Sequence, residues 1–416
     1  MYIGIDTGGT FTDGVLLDPA SQQVVKSDKV LTTHQDLTLC IREILDRILP
    51  EDPASVTLVS LSTTLATNAI AEGKRRPVAL LLLGYDPALV HQYGFDRQFG
   101  TRQYYFIPGR HGLNGIEQIP LDEAGVEKIA LDVHDKVDAF SVASYAGPVN
   151  ASHEERAAAI LAKTTKLPVV QAHHLSSELD SIRRATTASL NASLLDKLQD
   201  FLDAVERMLE GKGVHCPVMM VRGDGSIAKS DFARSRPVEI IHSGPATSAI
   251  GGQFLSGVDT ALVVDIGGTT TDIAMVEKGK IQILENGATV GNHRTCVRTV
   301  KVHSFALGGD SAISFDHYQT LEIGPERLIP LSHLCSLYPD VKQDLLTWIR
   351  TRRQVRYSED LEYWSLRRKP PRSLQNERID KILGLLESGP KRLTWLKAQA
   401  GALAPVVVRE LVNEEI

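Results

Sequence analysis

Apolar positions along this chain fall into two alternating rhythms. Short strand-like runs occur at Tyr2-Ile3-Gly4-Ile5, Val15-Leu16-Leu17, Val56 to Ser62, Val78 to Leu83, Ala139-Phe140-Ser141-Val142 and Val169-Val170-Gln171. A further strand is expected at Gln23-Val24-Val25-Lys26. Between Asp36 and Leu49 the apolar residues Leu37, Ile41, Ile44, Leu45, Ile48 and Leu49 keep helical spacing, so this segment predicts a helix capped by Asp36 and stopped by Pro50. Glu154 to Ala162 reads as a helix. Arg183 to Leu209 reads as one long helix or two abutting ones, suited to joining two halves. A strand at Pro217 to Val221 then runs into the turn Arg222-Gly223-Asp224-Gly225-Ser226. From about Pro330 onward the pattern is of short helices with Pro-Pro and basic breaks, and Leu393 to Glu415 has the apolar period of a small helical bundle. Strands alternating with helices predict an α/β fold with a mixed or parallel sheet.

Two of the strand-like runs flank the same octapeptide pattern, D-x-G-G-T-x-T-D. It occurs as Asp6-Thr7-Gly8-Gly9-Thr10-Phe11-Thr12-Asp13 and as Asp265-Ile266-Gly267-Gly268-Thr269-Thr270-Thr271-Asp272, with six of eight positions identical. Each copy reads as strand, Gly-Gly turn, strand: a hairpin with an acidic residue at its entrance. Glycines at such a turn let backbone N–H groups approach an anion, and threonines add hydroxyl donors. A carboxylate beside polyphosphate suits a hard cation such as Mg²⁺. The expectation is therefore a polyphosphate ligand between two related halves. Asp6 and Asp265 would organise the metal, and Gly8, Gly9, Thr10, Gly267, Gly268, Thr269 and Thr270 would hold phosphates. Neither G-x-x-x-x-G-K-[ST] nor a strand-borne G-x-G-x-x-G is present.

Composition narrows the class without naming a function. At 416 residues the chain is expected to form two or three domains. Its hydrophobic fraction of 43%, charged fraction of 23% and net charge of −6 fit a globular protein and give no reason to expect nucleic-acid binding. The basic stretch from Thr351 to Arg372 is expected to be a solvated surface. Cys40, Cys216, Cys296 and Cys335 make no C-x-x-C pair, so no zinc site or redox dithiol is expected of them. No signal peptide and no membrane-length apolar run is evident, and the expected location is cytoplasmic.

Other residues have both a functional and a structural reading. Thr63, Thr64, Thr67 and Asn68 follow a buried-type strand; they line a substrate side of the cleft or cap a helix starting near Ala66. Ser243 and Gly244 begin a small-residue stretch that presents a helix N-terminus to a ligand, or simply starts a helix. Asp224 orients water or metal, or, as the reading that Gly-Asp-Gly favours, simply forms the turn. Asp272 helps position metal or water, or hydrogen-bonds within its hairpin, and Asp13 is its counterpart. His173-His174 has no carboxylate at metal-binding spacing and is expected in a surface loop. No Ser-His-Asp or Cys-His nucleophile set can be assembled.

The twin hairpins resemble the actin-like ATPase superfamily that includes the sugar kinases. That resemblance implies two ribonuclease-H-like domains flanking an ATP cleft, and a Gly-rich loop at the adenosine, for which Gly308 and Gly309 are the candidates. Ile3 to Asp13, Ser62-Thr63-Thr64-Leu65-Ala66-Thr67-Asn68-Ala69, Arg184-Ala185-Thr186-Thr187-Ala188-Ser189-Leu190-Asn191-Ala192, Ser243-Gly244-Pro245-Ala246 and Asp265 to Asp272 together look like the hydantoinase A/5-oxoprolinase family. The implied domains are residues 1–182, residues 183–329 and a mainly helical appendage at 330–416. The implied activity is Mg²⁺-ATP-dependent opening of a small cyclic amide, of hydantoin or 5-oxoproline type, by phosphorylating its carbonyl oxygen. Asp6, Asp265 and Asp272 are the implied catalytic residues, and Thr63, Thr64, Asn68, Ser243 and Gly244 the implied substrate side. A hydantoinase B-like subunit and an oligomer are the implied partners. An ATPase subunit of a ketone carboxylase and a nucleotide-switched binding protein remain alternatives. Ser314-Phe315-Asp316 leads into the basic region in place of the Gly- and Pro-rich segment of longer members, so a fragment or reduced paralogue is expected.

Overall fold

The computed structural model describes residues 1–33, 35–315, 318, 320–351, 361–366 and 377–413. They form two compact units, Met1–Phe305 and Ala306–Ile416. The basic residues Arg352, Arg353, Arg356, Arg367, Arg368, Lys369 and Arg372 lie outside the described residues.

The first unit is a mixed α/β structure built on two main sheets. In the six-stranded sheet the order is Ile227–Lys229, Val218–Val221, Leu58–Thr63, Tyr2–Thr7, Phe11–Asp18 and Gln23–Leu31. Tyr2–Thr7 runs antiparallel to Phe11–Asp18 and parallel to Leu58–Thr63. Its side chains alternate between faces, as a strand requires, so Ile3, Ile5 and Thr7 are buried. That buried face meets the helix Leu37–Ile48, whose Asp36 side chain accepts a hydrogen bond from the Thr38 N–H as expected of a cap. Cys40, Ile41, Ile44, Leu45 and Ile48 form its buried stripe. Gly14 permits the close approach: a Cβ there would lie 2.4 Å from Ile44 Cγ1.

The second sheet is parallel throughout, in the order Val169–Gln171, Ala139–Ser144, Val78–Leu83 and Gln103–Ile107. Helices cover both faces, which is why Val78–Leu83 is apolar at every position. Val78, Leu80 and Leu82 pack with Ala185, Ala188 and Ala192 of the helix Ser181–Gly211. Ala79, Leu81 and Leu83 pack on the other side with Val126 and Ala130 of Glu123–Val133 and with Ala157 and Leu161 of Ser152–Thr165. Ser181–Gly211 is one continuous helix of 31 residues, and it serves both sheets. Beyond Ala192, its Leu194, Leu198, Leu202, Val205 and Leu209 join the core of the six-stranded sheet. Fully buried Arg184 on this helix donates from its two terminal nitrogens to the carbonyls of Ser144, Tyr145 and Glu178, which offsets part of the cost of its burial.

The second octapeptide forms the hairpin Ala261–Ile266 and Thr271–Glu277, with Lys280–Ile281 and Val302–Phe305 also paired to the latter strand. Among the described residues Ala261–Ile266 pairs only with Thr271–Glu277, and Leu262, Val264 and Ile266 are exposed.

The second unit is mainly helical after a hairpin of Ser311–Phe315 and Leu321–Arg327. Ile379, Ile382, Leu386, Leu393, Leu396, Val407, Val408 and Leu411 form its core, in keeping with the apolar period of its sequence. No helix among the described residues is long and apolar enough to cross a membrane.

Gly14→Ala is expected to lower unfolding free energy by about 1–3 kcal/mol, the usual cost of overpacking a filled core. Chemical denaturation measures this; an unchanged midpoint would contradict the close approach of Gly14 to Ile44.

Candidate functional site

The two octapeptides adopt the same local structure. Asp6 pairs with Asp13 across the first hairpin, and Asp265 with Asp272 across the second. Each turn closes through the same backbone bond: Gly8 N–H donates to Phe11 O at 3.0 Å and Gly267 N–H to Thr270 O at 2.8 Å. The first turn is pinned from the side by Thr32, which donates its N–H to Thr10 O and its hydroxyl to Gly8 O.

The turns face one another. A Cβ on Gly268 would lie 2.5 Å from Thr10 Oγ1, and one on Gly9 would lie 3.9 Å from Thr269 Oγ1. A side chain at Gly268 therefore runs into the Thr10 side chain of the opposite turn. The structure thus brings Gly8, Gly9 and Thr10 together with Gly267, Gly268, Thr269 and Thr270.

Two carboxylates meet beside these turns. Asp6 is largely enclosed, and burial pushes its carboxyl above the usual carboxylate range. The Ser62 hydroxyl pulls the other way, while the charges of Asp13 and Asp265 raise it further. Asp6 Oδ1 is buried with no hydrogen-bond partner. Asp265 Oδ2 accepts from Ser248 Oγ at 2.6 Å. An orphaned carboxylate oxygen beside a second carboxylate is a fit for a hard divalent cation, which offsets the repulsion and supplies the missing partner. The other two acids have local contacts. Asp13 pairs with Lys29 at 3.3 Å, and Asp272 Oδ1 accepts from Ser304 Oγ, a bond within its own sheet.

The helix Ser243–Ser256 spans from one hairpin to the other. At its start, buried Ser243 accepts from Ser62 Oγ and Thr63 N–H, each at 3.3 Å, and donates to Thr63 O at 3.1 Å. Ser62 is the strand neighbour of Asp6. One turn on, Ser248 reaches Asp265. The Ser243 side chain is thus engaged with the protein itself, whereas Gly244 borders open space.

Thr63 Oγ1 accepts from Leu65 N–H at 3.1 Å just ahead of the helix Leu65–Ala71, whose N-cap position is Thr64 with no side-chain cap bond. Thr64 Oγ1 donates to Thr7 O at 3.3 Å and accepts from Asn68 Nδ2 at 3.1 Å. These residues lie at the end of the strand beside Tyr2–Thr7, near the first turn. Gly308 and Gly309 belong to the second unit, where Gly308 O accepts from Ser311 N–H in a turn before the hairpin. Asp224 is a turn residue, accepting from Ser226 N–H. His173 corrects the surface-loop expectation. It lies in the short helix Ala172–Leu175, and its Nδ1 is 2.7 Å from fully buried Glu154 Oε2.

His242 is a site residue that sequence pattern did not single out. It precedes the Ser243 helix with φ of 61°, a left-handed conformation that costs energy in a residue with a side chain. Its N–H is held by Thr67 Oγ1 at 3.2 Å. Burial lowers its pKa, against an opposing pull from Asp272, so the neutral imidazole is the form present at neutral pH.

Comparison with known proteins places these hairpins in a family context. The model of the hydantoinase/oxoprolinase N-terminal region matches residues 2–165, and that of hydantoinase/oxoprolinase matches residues 184–329. The chain belongs to the hydantoinase/oxoprolinase family. It is similar to caprolactamase subunit alpha of Pseudomonas jessenii, with 29% identity over 352 residues, 78% of this chain and 50% of the relative. It is also similar to the acetophenone carboxylase gamma subunit of Aromatoleum aromaticum, with 25% identity over 370 residues, 78% of this chain and 49% of the relative. Among solved structures, the ATP-dependent caprolactamase from Pseudomonas jessenii is similar with a TM-score of 0.64 and 26% identity, covering 79% of this chain and 51% of that one. Nucleotide-free acetone carboxylase shares the fold with a TM-score of 0.67 and 19% identity, over 79% of this chain and 51% of that one. This family member spans about half the length of the curated relatives it matches.

The raised Asp6 pKa has a definite sign. The folded protein favours protonated Asp6, so the stability from this group is complete below the ordinary carboxylate pKa and is lost as pH rises through the raised value. Asp6→Asn removes that loss. In metal-free buffer the variant should gain thermal stability relative to the parent as pH rises from about 4 towards 8, across and above the ordinary carboxylate range. A stability difference that does not change with pH contradicts the buried, cation-seeking carboxylate.

Proposed function

We propose that this chain binds Mg²⁺-ATP between its two hairpins and transfers the γ-phosphoryl group to the carbonyl oxygen of a small cyclic amide. The observation that carries the reading is the pair of facing Gly-Gly turns with Asp6 and Asp265 beside them. In this reading the hairpins are the matching elements of two actin-like halves, and Gly8, Gly9, Thr10, Gly267, Gly268, Thr269 and Thr270 hold phosphates. Bound Mg²⁺ neutralises charge on the phosphates, and Asp6 and Asp265 are the residues that hold it, directly or through water. Asp272, beside His242, orients this edge of the site. Thr64, Asn68 and Gly244 face the substrate, while Thr63 and Ser243 fix the strand end and helix start that frame it.

A lactam carbonyl resists water at neutral pH because nitrogen donates into it. Phosphoryl transfer to the oxygen leaves ADP and makes the carbon electrophilic. Water adds to that carbon, the ring C–N bond breaks with its electron pair passing to nitrogen, and a second water releases phosphate. The balance is one ring and one ATP hydrolysed. Similarity to a caprolactamase alpha subunit favours a lactam and a partner subunit; the partner proposed for the hydrolytic steps is a hydantoinase B-like chain. Similarity to an acetophenone carboxylase gamma subunit favours a second reading, activation of a ketone or bicarbonate within a carboxylase.

Phosphate release from Mg²⁺-ATP should be measured across lactams, hydantoins and ketones, with and without a hydantoinase B-like subunit and bicarbonate. Stoichiometric ring-opened product supports the amidohydrolase, and bicarbonate-dependent turnover the carboxylase. Tight ATP binding without turnover on any substrate would instead mark a nucleotide switch. Asp265→Asn should stay folded and lose about 10²-fold or more in turnover, the scale for removing a charge-stabilising group. Parental turnover in that variant would remove Asp265 from the mechanism.

A further inference from the structure

Away from the hairpins, the parallel sheet carries a second cluster of ligand-type side chains. Arg110–His111 and Glu117–Ile119 form a small antiparallel ribbon in which His111 pairs directly with Glu117. Cross-strand partners project on the same face, so the backbone itself sets these two side chains together. The helix Ser152–Thr165 brings His153 against them, with the His111 and His153 ring centroids 3.9 Å apart. The ribbon follows the strand Gln103–Ile107, and the helix follows Ala139–Ser144. The cluster therefore sits past the carboxyl ends of parallel strands, where open α/β sheets place ligands.

We propose that His111, Glu117 and His153 form a binding site for a divalent transition-metal ion, best matched by zinc. One ligand atom from each of the three residues lies within 4.8 Å of the others, a spacing that a single ion can bridge. His153 is fully buried and His111 4% exposed, yet Nδ1 of each ring is buried without a hydrogen-bond partner. A buried polar nitrogen left in this state costs about 1–3 kcal/mol, so His111 Nδ1 calls for a ligand, whereas His153 meets the ion through Nε2 and keeps its Nδ1 as it is. Glu117 is exposed and gives the ion a route from solvent. His153 Nε2 lies 2.7 Å from Glu117 Oε1, a contact that carries a proton in the metal-free protein and whose place the ion takes. Burial and the neighbouring His153 lower the pKa of His111, and the His153 hydrogen bond lowers that of Glu117. Neutral imidazole and ionised carboxylate are the forms that ligate. Two imidazoles and one carboxylate suit zinc rather than Mg²⁺ or Ca²⁺, and leave a fourth position for water. Arg156, whose Nη1 is 3.6 Å from Glu117 Oε1, competes with the ion for that carboxylate.

The test is equilibrium zinc binding by chelator-stripped full-length protein, followed by calorimetry and by metal analysis after gel filtration. One equivalent is expected, and Co²⁺ in its place should give the intense visible absorption of a four-coordinate site. His111→Ala and His153→Ala should abolish binding. Glu117→Gln, at an exposed position and so compatible with folding, should weaken it by about tenfold or more. His174→Ala, in the other histidine pair, should leave it unchanged. Absence of a stoichiometric zinc ion, or parental affinity in folded Glu117→Gln, overturns the proposal.

Discussion

Burial of the Asp6 carboxylate, made harder by the charges of Asp13 and Asp265, is the constraint on which the site in the first unit depends. Asp6 is enclosed, lacks a partner at Oδ1 and feels the charges of Asp265 and Asp13. Such a carboxylate is destabilising unless it is protonated or meets a cation. The structure nevertheless holds it there through strand pairing on both sides, with Asp13 and Ser62 as its register partners. A position that costs stability in the empty fold and is fixed by two neighbouring strands is what a cation and polyphosphate site requires.

The surrounding elements keep the two acidic turns together. Ser243 anchors one helix to the strand end beside Asp6, and Ser248, one turn later, holds Asp265. Gly268 lets the second turn approach Thr10. The long helix Ser181–Gly211 fastens the parallel sheet to the same core, so the sheet beside the first hairpin rests on two packed layers. Local turn chemistry, helix capping and core packing thus converge on one small volume.

Much of this was legible in the sequence where one short-range signal dominated. The octapeptides prescribed two hairpins, and both formed with the same turn bond. Asp36, the apolar stripe and Pro50 prescribed the helix Leu37–Ile48. The all-apolar Val78–Leu83 run prescribed a strand covered on both faces. What sequence pattern missed depends on contacts between distant segments. His242 gives no local sign of its left-handed backbone or its place near Asp272. Thr63 and Ser243 look like free ligand groups in sequence, but they bond to each other across 180 residues. His153 meets His111 and Glu117 only through a ribbon register that no spacing rule encodes. His173 looks like a loop residue in sequence because its partner Glu154 comes from another helix.

The facing turns are proposed to grip a metal-bound polyphosphate. A crystal structure with Mg²⁺ and a non-hydrolysable ATP analogue tests it most directly. The β- and γ-phosphates are expected between Gly8–Thr10 and Gly267–Thr270, with the cation coordinated by Asp6 and Asp265 directly or through one water. Phosphates bound elsewhere, or a cation that leaves Asp6 untouched, would contradict it.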